Sequence, residues 1–150
     1  MSVTVDKNGM DEFFGKLNAA VPKALSAASV VYVNALKSKI KGNRGEAVGR
    51  VTYIRSAPGE PPHSQTGALR NSMTFELDGA RSLIGPSVEY GKWLEFGTSK
   101  MAARPFVRPV AADRRTAKRA QEVAAVSLRQ SIAGAKAGVF ELVSKVGRAQ

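Results

Sequence analysis

The chain has 150 residues, which fits one domain, and we treat residues 1–150 as a single unit with a basic extension from about residue 134. A hydrophobic content of 43% is enough for a core, and the absence of cysteine excludes disulfides and thiolate metal sites. The net charge of +11 is uneven, since residues 101–150 hold ten basic and three acidic side chains. That third is predicted to be a solvated helix face, or to meet DNA, an acidic partner or a membrane surface.

The N-terminal segment predicts a strand followed by a long helix. Residues 2–6 alternate β-branched and polar side chains, as in a short edge strand, and Gly9 is expected to break that strand. From residue 11 the apolar side chains recur every three or four residues, which predicts one amphipathic helix with a kink or a division at Pro22. Gly42 and Asn43 are expected to end it. No secretory leader and no transmembrane helix is predicted.

The middle of the chain predicts loops and a hairpin. Residues 51–55 read as a short strand, and residues 56–67, with three prolines, as a long extended loop or arm. Residues 72–77 and 81–84 alternate around Asp78-Gly79, a pair typical of a tight turn, so they predict two antiparallel strands.

The C-terminal half predicts helices. Residues 88–96 indicate a short buried helix, in which we expect the large side chains to lie in the core. Those core candidates are Tyr90, Trp93, Leu94 and Phe96. Residues 109–133 indicate a helix with a stripe of small residues, followed after Gly134 and Gly138 by a last short helix. The order predicts an α+β fold, with long N- and C-terminal helices packed on a small antiparallel sheet and a long Pro-rich loop.

The residues offer little for catalysis. His63 is the single histidine and lies in the proline-rich loop, so only one base is available for a catalytic pair, and a histidine metal cluster is impossible. Glu76 and Asp78 share a strand face by spacing, but such pairs are usually solvated. We therefore predict no enzyme, no cofactor and no metal site.

A dense basic block makes nucleic-acid binding the alternative function. Its members are Arg108, Arg114, Arg115, Lys118 and Arg119, with Arg104 just upstream. Such a block neutralises phosphates without sequence preference, and it lacks the interleaved aromatics that stack single-stranded bases. An acidic protein partner explains the same charges.

Two segments resemble a known family. Residues 90–110, YGKWLEFGTSKMAARPFVRPV, resemble the pattern Y-x-x-aromatic-aliphatic-E-aromatic-G-T followed by R-P-F of the gene-product-ten-like neck proteins of tailed bacteriophages. Upstream, Thr66, Gly67, Leu69, Arg70 and Ser72 match that family's T-G-x-L-R-x-S block. The two blocks cover about a third of the chain and occur in the expected order. Alanines at 102 and 103, where the family often has proline, and the basic C-terminal extension are departures.

The resemblance implies a non-catalytic virion protein. It would form a homo-oligomeric ring, expected to be a hexamer like the tail tube, at the head–tail junction. Its partners would be the adjacent head-closure or adaptor proteins, tail-terminator or tail-tube proteins, and genomic DNA in the lumen. Assembly in the host cytoplasm and no membrane contact are implied.

A ring subunit needs two different contact surfaces, because head-to-tail contacts join unlike patches. We expect the proline-rich arm and the R-P-F segment to supply them. Glu95 and Arg104 are predicted to form an ion pair, preferentially across subunits. The contact candidates are Pro58, Gly59, Glu60, Pro61, Pro62, Glu95, Arg104, Pro105 and Phe106.

Overall fold

The computed structural model describes the backbone of residues 7–41, 44–47, 50–53 and 56–146, and the side chains of residues 11–41 and 56–133. Two long helices, four shorter elements of strand and three short helices give the α+β fold that the sequence predicts. The strand predicted at residues 2–6 lies outside the described residues.

Helix α1 is longer at its start than the sequence suggested. It spans Lys7–Lys39, so it begins four residues before Asp11 and includes Gly9, which was expected to lie between the strand and the helix. A helical glycine costs only about 1 kcal/mol, which tertiary packing can offset. Pro22 also lies inside this single helix, so the division into two helices is wrong. The Pro22 side chain is exposed, and the carbonyl that loses its donor can bind water there.

Two hairpins provide the strands. β1 (Arg44–Ala47), which was not predicted, pairs antiparallel with β2 (Arg50–Tyr53). The strand predicted over residues 51–55 is confirmed for residues 51–53, and residues 54 and 55 lie outside the described residues. β3 (Met73–Asp78) pairs with β4 (Arg81–Pro86), which confirms the second hairpin. Its turn uses Gly79, whose φ of 56° suits glycine.

The β3–β4 hairpin has one face on α1 and one face toward solvent. Phe75 pairs with Ile84, and both pack against the core. On the opposite face Glu76 pairs with Leu83, and both side chains are exposed. This alternation follows from the two-residue period of a strand.

A short helix that was not predicted precedes the β3–β4 hairpin, and the helices after the hairpin begin at positions different from those predicted. α2 (Ala68–Asn71), α3 (Tyr90–Phe96) and α4 (Val107–Ala111) are short, and α5 (Arg114–Val146) is long. The helix predicted over 109–133 is therefore two helices, divided at Ala112 and Asp113. α5 also continues through Gly134 and Gly138, where we expected a break, because the neighbouring residues are mostly strong helix formers.

Asp113 explains where α5 begins. Its carboxylate accepts hydrogen bonds from the backbone N–H of Arg115 at 3.2 Å and of Thr116 at 3.3 Å, the pattern of a helix N-cap. The Thr116 hydroxyl donates to the same carboxylate at 2.7 Å. These bonds, that of the Thr116 hydroxyl first, lower the pKa of Asp113 below its usual 3.8.

Replacing Asp113 by alanine should lower the melting temperature at neutral pH, because two orphan N–H groups of α5 lose their acceptor. The lowered pKa means that the carboxylate stabilises the fold above 3.8 and that this contribution disappears as the pH falls through the folded-state pKa. The gap in melting temperature between wild type and Asp113→Ala should therefore narrow below that pH. Asp113→Asn, which retains a cap acceptor, is the control, and a gap independent of pH would contradict the assignment.

The core forms where α1 meets the hairpin and α4. Buried there are Val33, Leu36, Ile40, Leu69, Met73, Phe106 and Val110. α5 packs along α1 with the opposite direction, since its first turns lie beside Asn34 and Ser38 near the end of α1. The predicted stripe of small residues faces this contact, and Ala120 is its buried member.

Segment Asp11–Lys39 of α1 is long and apolar enough to cross a membrane by length and composition, with a mean hydropathy of 1.3. The sequence pattern predicts no transmembrane helix here, since charged residues interrupt the apolar run. In the structure α1 is the helix against which the β3–β4 hairpin, α4 and α5 all pack. Its buried polar residue Ser29 hydrogen-bonds to Ser82 of the hairpin at 2.6 Å, as expected of a helix at the centre of a folded domain.

Candidate protein contact surface

Helix α3 turns its aromatic side chains outward. Tyr90, Trp93 and Phe96 are 38%, 47% and 66% exposed, and together they form what we call the aromatic surface. The prediction that these three belong to the core is wrong. Spacing of three residues puts them on one side of the helix, and Gly91 and Glu95 face inward instead.

The opposite side of α3 packs closely on the molecule. Leu94 is partly buried against the core cluster. Of the four core candidates, it is the one for which the prediction is confirmed. A Cβ atom at Gly91 would come within 2.4 Å of the Pro86 ring at the end of β4. Glycine therefore permits the short distance between α3 and the hairpin. The inner side of α3 has no room for large side chains, so those of residues 90, 93 and 96 lie on the outer side.

Glu95 is a buried carboxylate that joins α3 to α4. One oxygen accepts the backbone N–H of Phe106 at 2.8 Å and of Val107 at 2.9 Å, and the other accepts the N–H of Arg108 at 3.0 Å. Its exposure is only 5%. The predicted pair with Arg104, and a contact of Glu95 across subunits, are both wrong, because the first N–H groups of α4 already satisfy the carboxylate.

Arg104 instead ties α3 to the proline-rich segment. Its Nε donates to the carbonyl of Ser56 at 3.2 Å, and its backbone N–H donates to the carbonyl of Leu94 at 2.7 Å. Its neighbour Phe106, a predicted contact residue, is fully buried in the core, so that prediction is also wrong. Pro105 is half-buried. The R-P-F segment thus joins α3 to the proline-rich segment and to the core, and little of it is exposed to solvent.

The proline-rich segment, residues 56–67, contains no helix or strand and lies against its own subunit. Ser56 and Pro62 are buried, the N–H of Gly59 donates to the carbonyl of Ala103 at 2.9 Å, and that of Ser64 donates to Lys41 at 2.8 Å. Pro61 is half-buried, and the exposed residues of the segment are Ala57, Pro58, Gly59, Glu60, Gln65 and Thr66. The arm and the R-P-F segment are therefore neighbours on one side of the molecule, and they do not form the two separate patches that we expected.

The two segments that carry the family resemblance meet in space. Thr66, Gly67 and Leu69 of the upstream block line one cavity together with Tyr90 and Leu94 of the downstream block. His63 is half-buried in the wall of that cavity. No group of three or more histidine, cysteine, aspartate or glutamate side chains suited to a metal occurs among the described residues.

Gly97 ends α3 in a conformation that requires glycine. Its φ of 77° and ψ of −178° lie in a region that residues with a Cβ rarely enter. An added Cβ would also lie 2.8 Å from the Met101 carbonyl oxygen and 2.8 Å from the Ala103 nitrogen. The chain can turn back here only because position 97 lacks a side chain.

Gly97→Ala should therefore lower the free energy of unfolding by about 2 kcal/mol, from backbone strain and the collision with the returning chain. Chemical denaturation measures the loss. Gly15→Ala is a matched control, because a Cβ at Gly15 meets nothing within 4 Å and alanine favours the helix. Equal stability of Gly97→Ala and wild type would contradict this account of the turn.

Cationic side chains border the aromatic surface. The Lys92 ammonium lies 5.5 Å from the Trp93 ring centroid, and the Arg108 guanidinium lies 4.8 Å from that of Phe96. Arg108 Nε is also 3.9 Å from Glu95. A cleft of about 580 Å³ opens beside Phe96, lined by Pro86, Val88, Val107 and other residues. An aromatic rim with an apolar cleft and flanking cations is suited to a protein partner.

The basic block is divided between two places. Arg108 contacts the aromatic surface, whereas Arg114, Arg115, Lys118 and Arg119 are exposed on the first turns of α5.

No protein-family model, curated protein or solved structure matches the chain.

Proposed function

We propose that the protein is a structural subunit of a tailed-phage virion that forms a homo-oligomeric ring at the head–tail junction. The observation that carries this proposal is the aromatic surface. Three large aromatic side chains point to solvent from one short helix, and exposed clusters of this kind mark contacts between proteins. The proposal also rests on the sequence resemblance to phage neck proteins.

The fixed position of α3, which carries the aromatic surface, supports a role in assembly. Glu95 fixes α3 to α4, and Gly97 fixes the turn between them, so the three rings are held before any partner arrives. A preorganised surface loses less conformational entropy on binding. Trp and Tyr in such positions commonly contribute most of the free energy of association.

A ring also needs a second, different surface on each subunit. The outer face of the β3–β4 hairpin offers one, because Leu83 is 64% exposed there. On the same face Glu76 lies opposite Leu83, and Asp78 lies opposite Arg81. In a ring, the carboxylates of this face would meet Lys92 and Arg108 of the next subunit's aromatic surface.

In this function the ring joins the capsid side of the junction to the tail. Its partners are head-closure or adaptor proteins on one side and tail-terminator or tail-tube proteins on the other, with genomic DNA passing through the lumen. A hexamer matches the symmetry of a tail tube. The subunit is assembled in the host cytoplasm, carries no catalytic role or cofactor and needs no membrane.

Electron microscopy of lysates tests this proposal, using the phage that encodes the chain with a nonsense codon in its gene. Filled heads beside detached tails, or tails of abnormal length, are expected. A plasmid copy of the gene should restore joined particles. Intact and infectious virions in the absence of the protein would refute the proposed function.

A further inference from the structure

The fold brings the end of α1 beside the start of α5 and forms a groove between them. Asn34 and Ser38 of α1 line it on one side, and Arg115, Thr116 and Arg119 of α5 on the other. Lys39 lies close enough to act electrostatically on Asp113, at the same end of the helix pair. We call this feature the basic groove. Its two walls are about 80 residues apart in sequence.

The cations of the basic groove, and Arg114 and Lys118 next to them on α5, have little internal compensation. In the part of the chain whose side chains are described, the side chains of Arg114, Arg115, Lys118 and Arg119 make no hydrogen bond or ion pair within the subunit. Two acids lie near. The Asp113 carboxylate is occupied as the cap of α5, and Glu122 is exposed one turn beyond Arg119. A net positive surface remains.

The spacing of the groove suits a polyanion with regularly repeated charges. Arg115 and Arg119 are one helical turn apart, so their Cβ atoms are separated by roughly 5–6 Å, similar to the spacing of successive phosphates on a strand. The Asn34 amide adds a neutral donor, of the kind that contacts phosphate oxygens. No aromatic side chain lines the groove, so stacked single-stranded bases are disfavoured.

We propose that the basic groove binds the sugar–phosphate backbone of double-stranded DNA without sequence preference. An acidic protein partner would ordinarily require large apolar or aromatic side chains at the centre of the contact, whereas the apolar residues that line the groove are only Val31 and Ala35. An anionic membrane surface would likewise require bulky apolar side chains next to the cations. The inference does not depend on ring formation, since the groove lies within one subunit.

Duplex binding by the purified full-length protein tests the inference, with fluorescence anisotropy of a labelled duplex of ~30 base pairs as the readout. Phosphate contacts from Arg115, Arg119 and Lys39 predict a slope of log affinity against log salt of roughly −3, which is about a 50-fold loss between about 50 and 200 mM salt. The double variant Arg115→Glu, Arg119→Glu should bind at least about tenfold more weakly and with a slope reduced by roughly 2.

The matched control reverses the same number of positive charges outside the groove, one on α1 and one on α5. Lys23→Glu with Arg129→Glu alters exposed positions, which lie about 24 Å from Lys39 along α1 and about 15 Å from Arg119 along α5. This control should bind within about twofold of wild type. Circular dichroism checks folding, and the milder pair Arg115→Gln, Arg119→Gln should show a smaller loss of the same kind.

Three results would overturn the inference. One is the absence of duplex binding by the wild type at about 50 mM salt. Another is an equal loss in the control, which would attribute binding to the overall charge of +11. The last is preferential binding to polyglutamate or to vesicles of anionic lipid when each competes with the duplex at equal charge, which would indicate an acidic protein or a membrane.

Discussion

Replacing Glu95 by alanine should lower the free energy of unfolding by about 3 kcal/mol, and the melting temperature by roughly 10 °C. The carboxylate accepts three backbone N–H groups, and that of Phe106 is fully buried. Without Glu95 this N–H has no acceptor, and a buried unsatisfied donor costs about 1–3 kcal/mol. The N–H groups of Val107 and Arg108 are partly accessible and regain some of their bonding from water.

Unfolding in increasing concentrations of denaturant, followed by circular dichroism, measures the change in the free energy of unfolding. Glu89→Ala is the matched control, because Glu89 precedes the same helix and its carboxylate pairs with Lys92 at the surface, where such pairs contribute less than about 1 kcal/mol. Glu95→Gln should fall between the two, since its amide keeps one acceptor oxygen but presents an N–H₂ group to backbone donors. A loss for Glu95→Ala no larger than for Glu89→Ala would show that the cap of α4 is unimportant.

Replacing Trp93 and Phe96 together by serine should abolish assembly while leaving the subunit folded. Phe96 is 66% exposed and Trp93 is 47% exposed, so their loss lowers the stability of the isolated subunit by only about 1–2 kcal/mol. At an interface, truncating such an aromatic commonly costs about 2 kcal/mol, or roughly 30-fold in affinity. The double variant should associate roughly 1000-fold more weakly than wild type.

Light scattering after size-exclusion chromatography measures the oligomer. Trp93 is the single tryptophan, so wild-type fluorescence should shift to shorter wavelength as concentration rises and the ring buries it. The control is Phe13→Ser with Phe14→Ser, which removes two exposed aromatics from the start of α1. If that pair prevents assembly and the Trp93 and Phe96 pair does not, the contact lies on α1 and the aromatic surface is not the interface.

The local pattern of the sequence predicted much of the secondary structure. The spacing of apolar residues in α1, the stripe of small residues on α5 and the alternation around Asp78-Gly79 each depend on neighbours three, four or two positions away. Such periodicities are properties of a single helix or hairpin, so they can be recognised without knowing how the rest of the chain packs. The α+β fold follows from them.

The tertiary structure decided which side chains of α3 face the core and which face solvent. The aromatic run of α3 looks like a core segment, but Pro86 and the first turn of α4 occupy its inner side, and only Gly91, Leu94 and Glu95 fit there. Glu95 meets donors 11 to 13 residues away, across a turn that Gly97 permits. No periodicity connects those positions. A charged residue between two aromatics was the only local sign, and it suggested a partner without identifying one.

The basic groove shows the same division. Composition alone placed the positive charge in the last third of the chain, and spacing placed four cations at the start of a helix. Asn34, Ser38 and Lys39 joined them only because α1 and α5 pack side by side in opposite directions. Sequence thus determined which residues carry charge and which helices they occupy, whereas packing determined which of them share a surface, since that depends on contacts between segments about 80 residues apart.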